Sequence, residues 1–474
     1  MELIFADAPG RPHFTEYFSN AIGEEVLPLT VTYNEVIAGS RDAGPCTIQI
    51  KLSWQDVAMN KAVSFEPGDQ LGILPQNGDD MVLKLIQRLD PVPSLEQTYR
   101  LMTPNEISTI AGPNKEFVRY LPPATVFDWF KKFLDITTPP TMMLLSELAT
   151  YATNQTEKER LNRLSEDPGK YLHWRRSRWP TILSLLEEFS SLSIPAVVLI
   201  YKLPLMQPCF YSISSCLLSS PTCVDLTVGV VNITDDGSSP VIFPDGSSRS
   251  GLCSMYLNQA TIGATVNAFF REKPQFHLPE DPTVPIIMVG QDIGIAPFRS
   301  FWMHRAELMR GGQHLGTAIF YGGYRTQEMN LYREEKLQYQ NIGAIELPTT
   351  YCREAVQGCA PDRVLVNYPT NEVVFCYDQG LVQMVISDNA FRMYESLYLQ
   401  NGHIYICGDF HLVRYVRRIL RLIFEEYGNL NEYEVKLALQ DLEDSGRFHD
   451  RCRFHHHDDD PCLVDDIFGR IVGS

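Results

Sequence analysis

The chain has 474 residues, room for two or three domains with proper cores, and 58 Asp and Glu against 40 Lys and Arg give it a formal net charge of −18. That balance excludes a general nucleic-acid surface, which needs clustered positive charge. The 11 cysteines have no paired metal spacing, and neither a basic leader with a long apolar run nor a membrane-length apolar segment is present, so the expectation is a cytoplasmic protein with reduced thiols and no membrane span.

Residues 2 to about 80 alternate short β-rich runs with turn signals. The period-two alternation of 47–53 predicts a half-buried strand, and 67–75 places a tight turn before another. From about 80 to 190 the texture becomes helical, as in 81–89 and 142–150. Strands are expected to return at 196–201, 209–213 and 224–231. An antiparallel β-barrel over residues 1–280, interrupted by a helical connecting insert at about 80–190, explains this β–α–β order.

Beyond Pro285 strands and helices alternate, which predicts a doubly wound α/β domain over 281–474 with strands at 286–289, 318–322, 344–350 and 403–407. The stretch 285–302 reads as a buried strand, a glycine turn from Gly290 to Gly294, and a helix opened by Pro297 and stopped at Gly311-Gly312. Such a turn aims free N–H groups and a helix dipole at an anion. The ligand crevice is expected at the carboxyl ends of the strands, where Gly290, Gly322, Cys352 and Cys407 fall.

Three stretches carry no clear period. Residues 235–250 read as a hairpin loop and 353–373 as irregular. Residues 452–462 hold Cys, His and Asp, all metal-ligand types, but at no recognised spacing, and read as a solvated loop without a metal.

The run Gln207-Pro-Cys-Phe-Tyr-Ser-Ile-Ser-Ser215, the run Ser250-Gly-Leu-Cys-Ser254, the turn at 285–302 and Ile404-Tyr-Ile-Cys-Gly-Asp409 together resemble the ferredoxin–NADP reductase module of the diflavin reductases. Residues 134–140, 179–189, 276–279, Tyr332-Arg-Glu-Glu335 and Asp466-Ile-Phe-Gly469 are most similar to nitric oxide synthase reductase regions. The resemblance runs from Glu2 to Gly469. It implies that 1–280 is an FAD-binding barrel domain and 281–474 an NADP-binding domain. Hydride would pass from NADPH to FAD, and electrons onward to an FMN-domain flavoprotein or another acceptor. These residues contain no FMN domain, oxygenase region or calmodulin-binding helix, so the expected activity is that first leg alone.

The resemblance also assigns residues. Phe210, Tyr211, Ser212 and Ser214 would serve the flavin, with the tyrosine against the ring and the Ser212 hydroxyl near its N5 atom. By the residues alone, an ordinary buried tyrosine before a turn of serines reads as well. Gly251, Leu252, Cys253 and Ser254 form a helix start that would face the FAD diphosphate, or simply a capped helix. Gly290, Gly294, Arg353, Tyr377, Gly408 and Asp409 would hold NADPH. Asp466 would stabilise the nicotinamide, and Phe468 would shield the flavin and swing aside for hydride transfer, which makes Ser212, Asp466 and Phe468 the expected catalytic set.

Departures from the family pattern temper this. Cys209 stands where the family has an arginine that grips the FAD diphosphate. Asp292 replaces a glycine, Ile293 a threonine and Gly323 a cysteine, while no lysine precedes Tyr377. Slower hydride transfer is expected, and the alternative is a module that keeps the fold and acts as a non-catalytic interaction partner.

Overall fold

The computed structural model describes residues 4–5, 14–41, 46–55, 57, 62–101, 121–230, 251–323, 329–348, 389–408 and 410–452. The chain divides into two compact units. One comprises Met1–Pro28, Gly72–Cys209 and Val230–Phe269, the other Leu29–Leu71, Phe210–Gly229 and Phe270–Ser474.

The second unit carries a parallel sheet of four strands: Ile286–Gln291, Ala318–Gly323, His403–Gly408 and Phe448–Cys452. Across the sheet they lie in the order second, first, third, fourth. Successive side chains leave a strand on opposite faces, and here both faces are buried. Ile286 and Met288 join Phe298, Phe301 and Trp302 of the helix Ala296–Arg310. Ile287 and Val289 join Val416, Ile419, Leu420 and Ile423 of the helix Phe410–Gly428, whose apolar residues recur at helical spacing. Helices on both faces make the sheet doubly wound, as its near-continuous apolar strands predict.

Two of the sheet's details correct the sequence reading. Residues 344–350 do not form a strand within the described part; Glu346 makes a single parallel bridge to Ile319. The fourth strand is instead Phe448–Cys452, which the sequence reading passed over. In the same unit Thr30 to Gly39, most of the strand Leu27–Gly39, pairs antiparallel with Cys46–Ser53, in which Ile48, Ile50 and Leu52 are fully buried.

The first unit joins a small antiparallel sheet (Ile4–Phe5, Thr98–Arg100, Ala124–Thr125) to a run of helices. The helices begin where side chains can satisfy their orphan N–H groups: Thr125, Thr141, Asn154, Asp167 and Thr181 each accept from the first turn. Residues 196–201, expected as a strand, are the helix Ala196–Lys202. A short apolar run fits either period. Here Pro195 stands at the N-cap, and Ala196, Val197, Leu199 and Ile200 are buried together.

At the amino ends of the parallel strands His403 Nδ1 lies 3.0 Å from His449 Nε2, and His449 Nδ1 lies 2.6 Å from the Gln275 carbonyl. The carbonyl fixes the proton on His449 Nδ1, so His403 is the donor within the pair. Burial, then the neighbouring His449 and Arg447, push His403 from 6.5 down to about 4. The depressed value means the unfolded chain binds the proton more readily. This contribution to stability is therefore present above pH 6.5 and lost as the pH falls toward about 4. His403→Asn keeps a donor without a titration. Its urea midpoint is expected to fall less than the wild type's between pH 6.5 and 4, and parallel curves would refute the assignment.

Candidate functional site

The parallel sheet sets the carboxyl ends of its strands in one register. Gly322, Gly290, Cys407 and Arg451 lie side by side across the second, first, third and fourth strands. This is the edge where open α/β sheets take their ligands. A Cβ at Gly290 would crowd the rings of Phe298 at 3.0 Å and Phe320 at 3.2 Å. Packing of the following helix thus accounts for this glycine. At Gly408 a Cβ would lie 2.6 Å from Leu412 Cδ2, so the leucine side chain would have to shift.

After Gln291 the chain turns through the short 3-10 segment Asp292–Ile295 before the helix starts. Asp292 has φ +49° and is 7% exposed, and Gly294 is buried in the same turn. The left-handed backbone that suits glycine is therefore kept, by one of the few other residues that tolerate it. Ile293 lies against Gly229, whose added Cβ would come within 2.7 Å of its Cδ1.

The strand Cys209–Ser212 brings Phe210, Tyr211 and Ser212 to this unit, all partly buried. Arg271 lies over the Phe210 ring at 4.3 Å. Ser212 Oγ accepts a hydrogen bond from Arg451 Nη1 at 2.8 Å, while Arg451 Nη2 donates to the Gly68 carbonyl at 2.6 Å and the guanidinium lies over Phe276 at 4.3 Å. Gly68 is required here, with φ +107° and a would-be Cβ 2.1 Å from the Phe276 carbonyl oxygen. Lys273 completes a cluster of three cations. Burial, then Arg271 and Arg451, hold its pKa below the usual lysine range. Among the described residues none of the three is in a salt bridge. The nearby acid Asp69 is committed elsewhere: it accepts from His277 Nε2 at 2.6 Å and from the backbone N–H groups of Glu66 and Lys273. Burial raises its pKa, but those donors pull it below the ordinary value by more.

Ser214 is placed differently. Its hydroxyl donates to the Asp225 carbonyl at 3.1 Å and its own carbonyl accepts from Arg299 Nη1 at 3.0 Å. Arg299 is the hub of a buried network that the sequence reading missed. It donates to both Glu335 oxygens at 2.9–3.1 Å and to Asp225 Oδ2 at 3.0 Å, and its guanidinium lies over Tyr332 at 4.6 Å. The network ties the serine turn to the helix that follows the first parallel strand. In the sequence Arg299 and Glu335 stand only within motif text, and Asp225 is one acid in an apolar run. Nothing local announces that they meet.

In the first unit, the helix Leu252–Gln259 starts at Gly251 with no side chain capping it. Its opening N–H groups, at Leu252, Cys253 and Ser254, are the kind that receive a phosphate. The Ser254 hydroxyl donates to the Gly251 carbonyl at 3.0 Å. Cys209 and Cys253 are hydrogen-bonded thiol to thiol, which lowers the Cys209 pKa against the opposing effect of burial. The uncapped helix start of the first unit suits an anion. The aromatic–serine strand of the second, beside cations in no salt bridge among the described residues, suits an aromatic, negatively charged group. Arg353, Tyr377, Asp409, Asp466 and Phe468 lie outside the described residues.

The FAD binding domain family model matches residues 44–256. The chain is 33% identical over 419 residues to a nitric oxide synthase-like protein of Bombyx mori, covering 87% of this chain and 36% of that protein. It is 34% identical over 411 residues to the human inducible nitric oxide synthase, covering 85% and 32%. It is 32% identical over 440 residues to the chicken inducible enzyme, covering 92% and 36%. With the FAD binding domain match, this similarity is to the reductase region of nitric oxide synthases. The chain spans about a third of the length of these relatives. An FAD-binding domain is thus part of it. Among the described residues no helix is long and apolar enough to cross a membrane.

Proposed function

We propose that this chain is an oxidoreductase module that takes hydride from NADPH onto FAD, and that its electrons go to an FMN-domain flavoprotein or another acceptor. The FAD binding domain match, inside a similarity that runs through most of the chain, carries this reading. When bound, FAD supplies a two-electron acceptor: hydride from NADPH yields NADP+ and the FADH anion, with no further proton needed. Phe210, Tyr211 and Ser212 would meet the flavin ring, and Gly251, Leu252, Cys253 and Ser254 its diphosphate. Gly290, Gly294, Gly408 and Asp409 would hold NADPH at the carboxyl ends of the parallel strands, with Arg353 and Tyr377 on its 2′-phosphate. Asp466 and Phe468 would serve the nicotinamide and shield the flavin. Residues 1–280 would form the FAD domain and 281–474 the NADP domain, working in the cytoplasm.

Purified protein is expected to be yellow and to reduce ferricyanide with NADPH. Colourless protein that stays inactive with added FAD would sink the proposal. Cys209 contributes no cation to the diphosphate, and charge-assisted hydrogen bonds are worth about 1.5–3 kcal/mol. Cys209→Arg is therefore expected to tighten FAD binding about ten- to a hundredfold in a fluorescence titration. Unchanged affinity would mean that the helix start alone holds the diphosphate.

A second reading is favoured by one observation, the buried Asp292 in the turn where a dinucleotide diphosphate would lie. It is a module that keeps the fold and binds a partner without chemistry. Absence of NADPH binding in protein that retains FAD would favour it.

A further inference from the structure

We infer that Arg451 is a positioning residue which, with Arg271 and Lys273, forms a cationic collar favouring the reduced, anionic form of the ring bound at Ser212. The inference rests on the proposed FAD site.

The geometry carries it. Arg451 occupies the carboxyl-end row of the parallel sheet, opposite Cys407, and reaches a serine 239 residues earlier in the chain. Its two hydrogen bonds go to neutral oxygens, and among the described residues the guanidinium is in no salt bridge. They also settle the polarity of Ser212. One lone pair of Oγ is taken by the Arg451 N–H at 2.8 Å, so the serine O–H is free to donate toward a ligand acceptor. Arg271 and Lys273 add two more cations, neither in a salt bridge among the described residues. The nearby acid Asp69 accepts from His277 and from backbone N–H groups.

In a chain of net charge −18, three like charges held together, with Asp69 acting on Arg451 while its own hydrogen bonds go to His277 and backbone N–H groups, favour an anion beside them. Such an anion would be the flavin ring in its two-electron-reduced state, after accepting a hydride with NADP+ as the other product. Charge beside the reacting ring nitrogens is a principal lever a protein has on a flavin. The collar therefore lowers the energy of the product side of the hydride step. It also disfavours the positively charged nicotinamide that would otherwise remain stacked on the ring.

The test is the midpoint potential of bound FAD, read by spectral titration against a reference dye. Arg451→Gln is expected to shift the reduced-to-oxidised ratio at least tenfold toward oxidised, about 30 mV for a two-electron couple. Arg451→Lys, which keeps the charge, should recover most of the shift, and Arg271→Gln should show a smaller one in the same direction. A purely structural arginine would not be rescued by charge. Folded, flavin-loaded Arg451→Gln within threefold of wild type would overturn the inference and leave the FAD reading standing. If that variant does not fold, Arg271→Gln decides in its place: a shift toward oxidised supports the collar, and none overturns it. Wild-type protein that takes up no FAD would overturn the proposed function and this inference together.

Discussion

Arg299→Met is expected to destabilise the protein by about 3–5 kcal/mol, the cost of removing one partner from a buried ion network. Arg299 and Asp225 are 7% and 3% exposed, so water cannot take over from the guanidinium. Asp225 Oδ1 already has no hydrogen-bond partner, with Lys51 Nζ 3.8 Å away, so loss of Arg299 would leave that acid supported chiefly by Gln49 at 2.9 Å. Glu335 would keep one donor, the Trp302 indole at 3.0 Å. Urea unfolding reads the loss. Arg299→Lys should lose less, because the charge stays while the fork that grips Glu335 goes. Removing all three charges together, with Arg299→Met, Asp225→Asn and Glu335→Gln, should recover part of the loss. A single Arg299→Met variant within about 1 kcal/mol of wild type would show that the network carries little of the fold. Because Arg299 also holds the Ser214 carbonyl, the variant should loosen flavin as well as the core.

Asp292→Gly is expected to tighten NADPH binding, by as much as about a thousandfold. A carboxylate about 4 Å from a phosphate costs on the order of 4 kcal/mol at an effective dielectric near 20. The residue is 7% exposed, so solvent screening is weak. Glycine can keep the φ of +49° without the left-handed penalty of about 1–2 kcal/mol that a side chain brings. The turn should therefore survive the change. Isothermal titration with NADPH measures the difference, and equal affinities would mean that the carboxylate points away from the diphosphate. Set beside Cys209→Arg, this variant asks whether two substitutions, one in each cofactor motif, account for any weakness of the natural sequence.

Much of this molecule is written locally. Residues 285–302 fold as a buried strand, a turn and a helix because each signal, from the apolar run to Pro297 and Gly311, acts within a few residues of its effect. The same holds for Cys46–Ser53, Asp79–Gln87 and Met142–Leu148, all close to the expected bounds. The family itself was legible because its motifs survive as ordered text. Where the local signal was ambiguous, the reading failed. The apolar run after Pro195 has no period long enough to separate helix from strand, and packing made it a helix.

What only the tertiary structure decided is which distant polar groups meet. Arg299 finds Asp225 across 74 residues and Ser214 across 85, and Arg451 finds Ser212 across 239. No spacing rule links such pairs, because their proximity comes from sheet order and not from chain order. The strand Phe448–Cys452 illustrates the reason. Its five residues gain their conformation from pairing with His403–Gly408, and that pairing alone places a cation beside the serine. The sequence by itself determined most of the elements and the strand–helix alternation after Pro285. The register of the sheet decided which charge the candidate site contains.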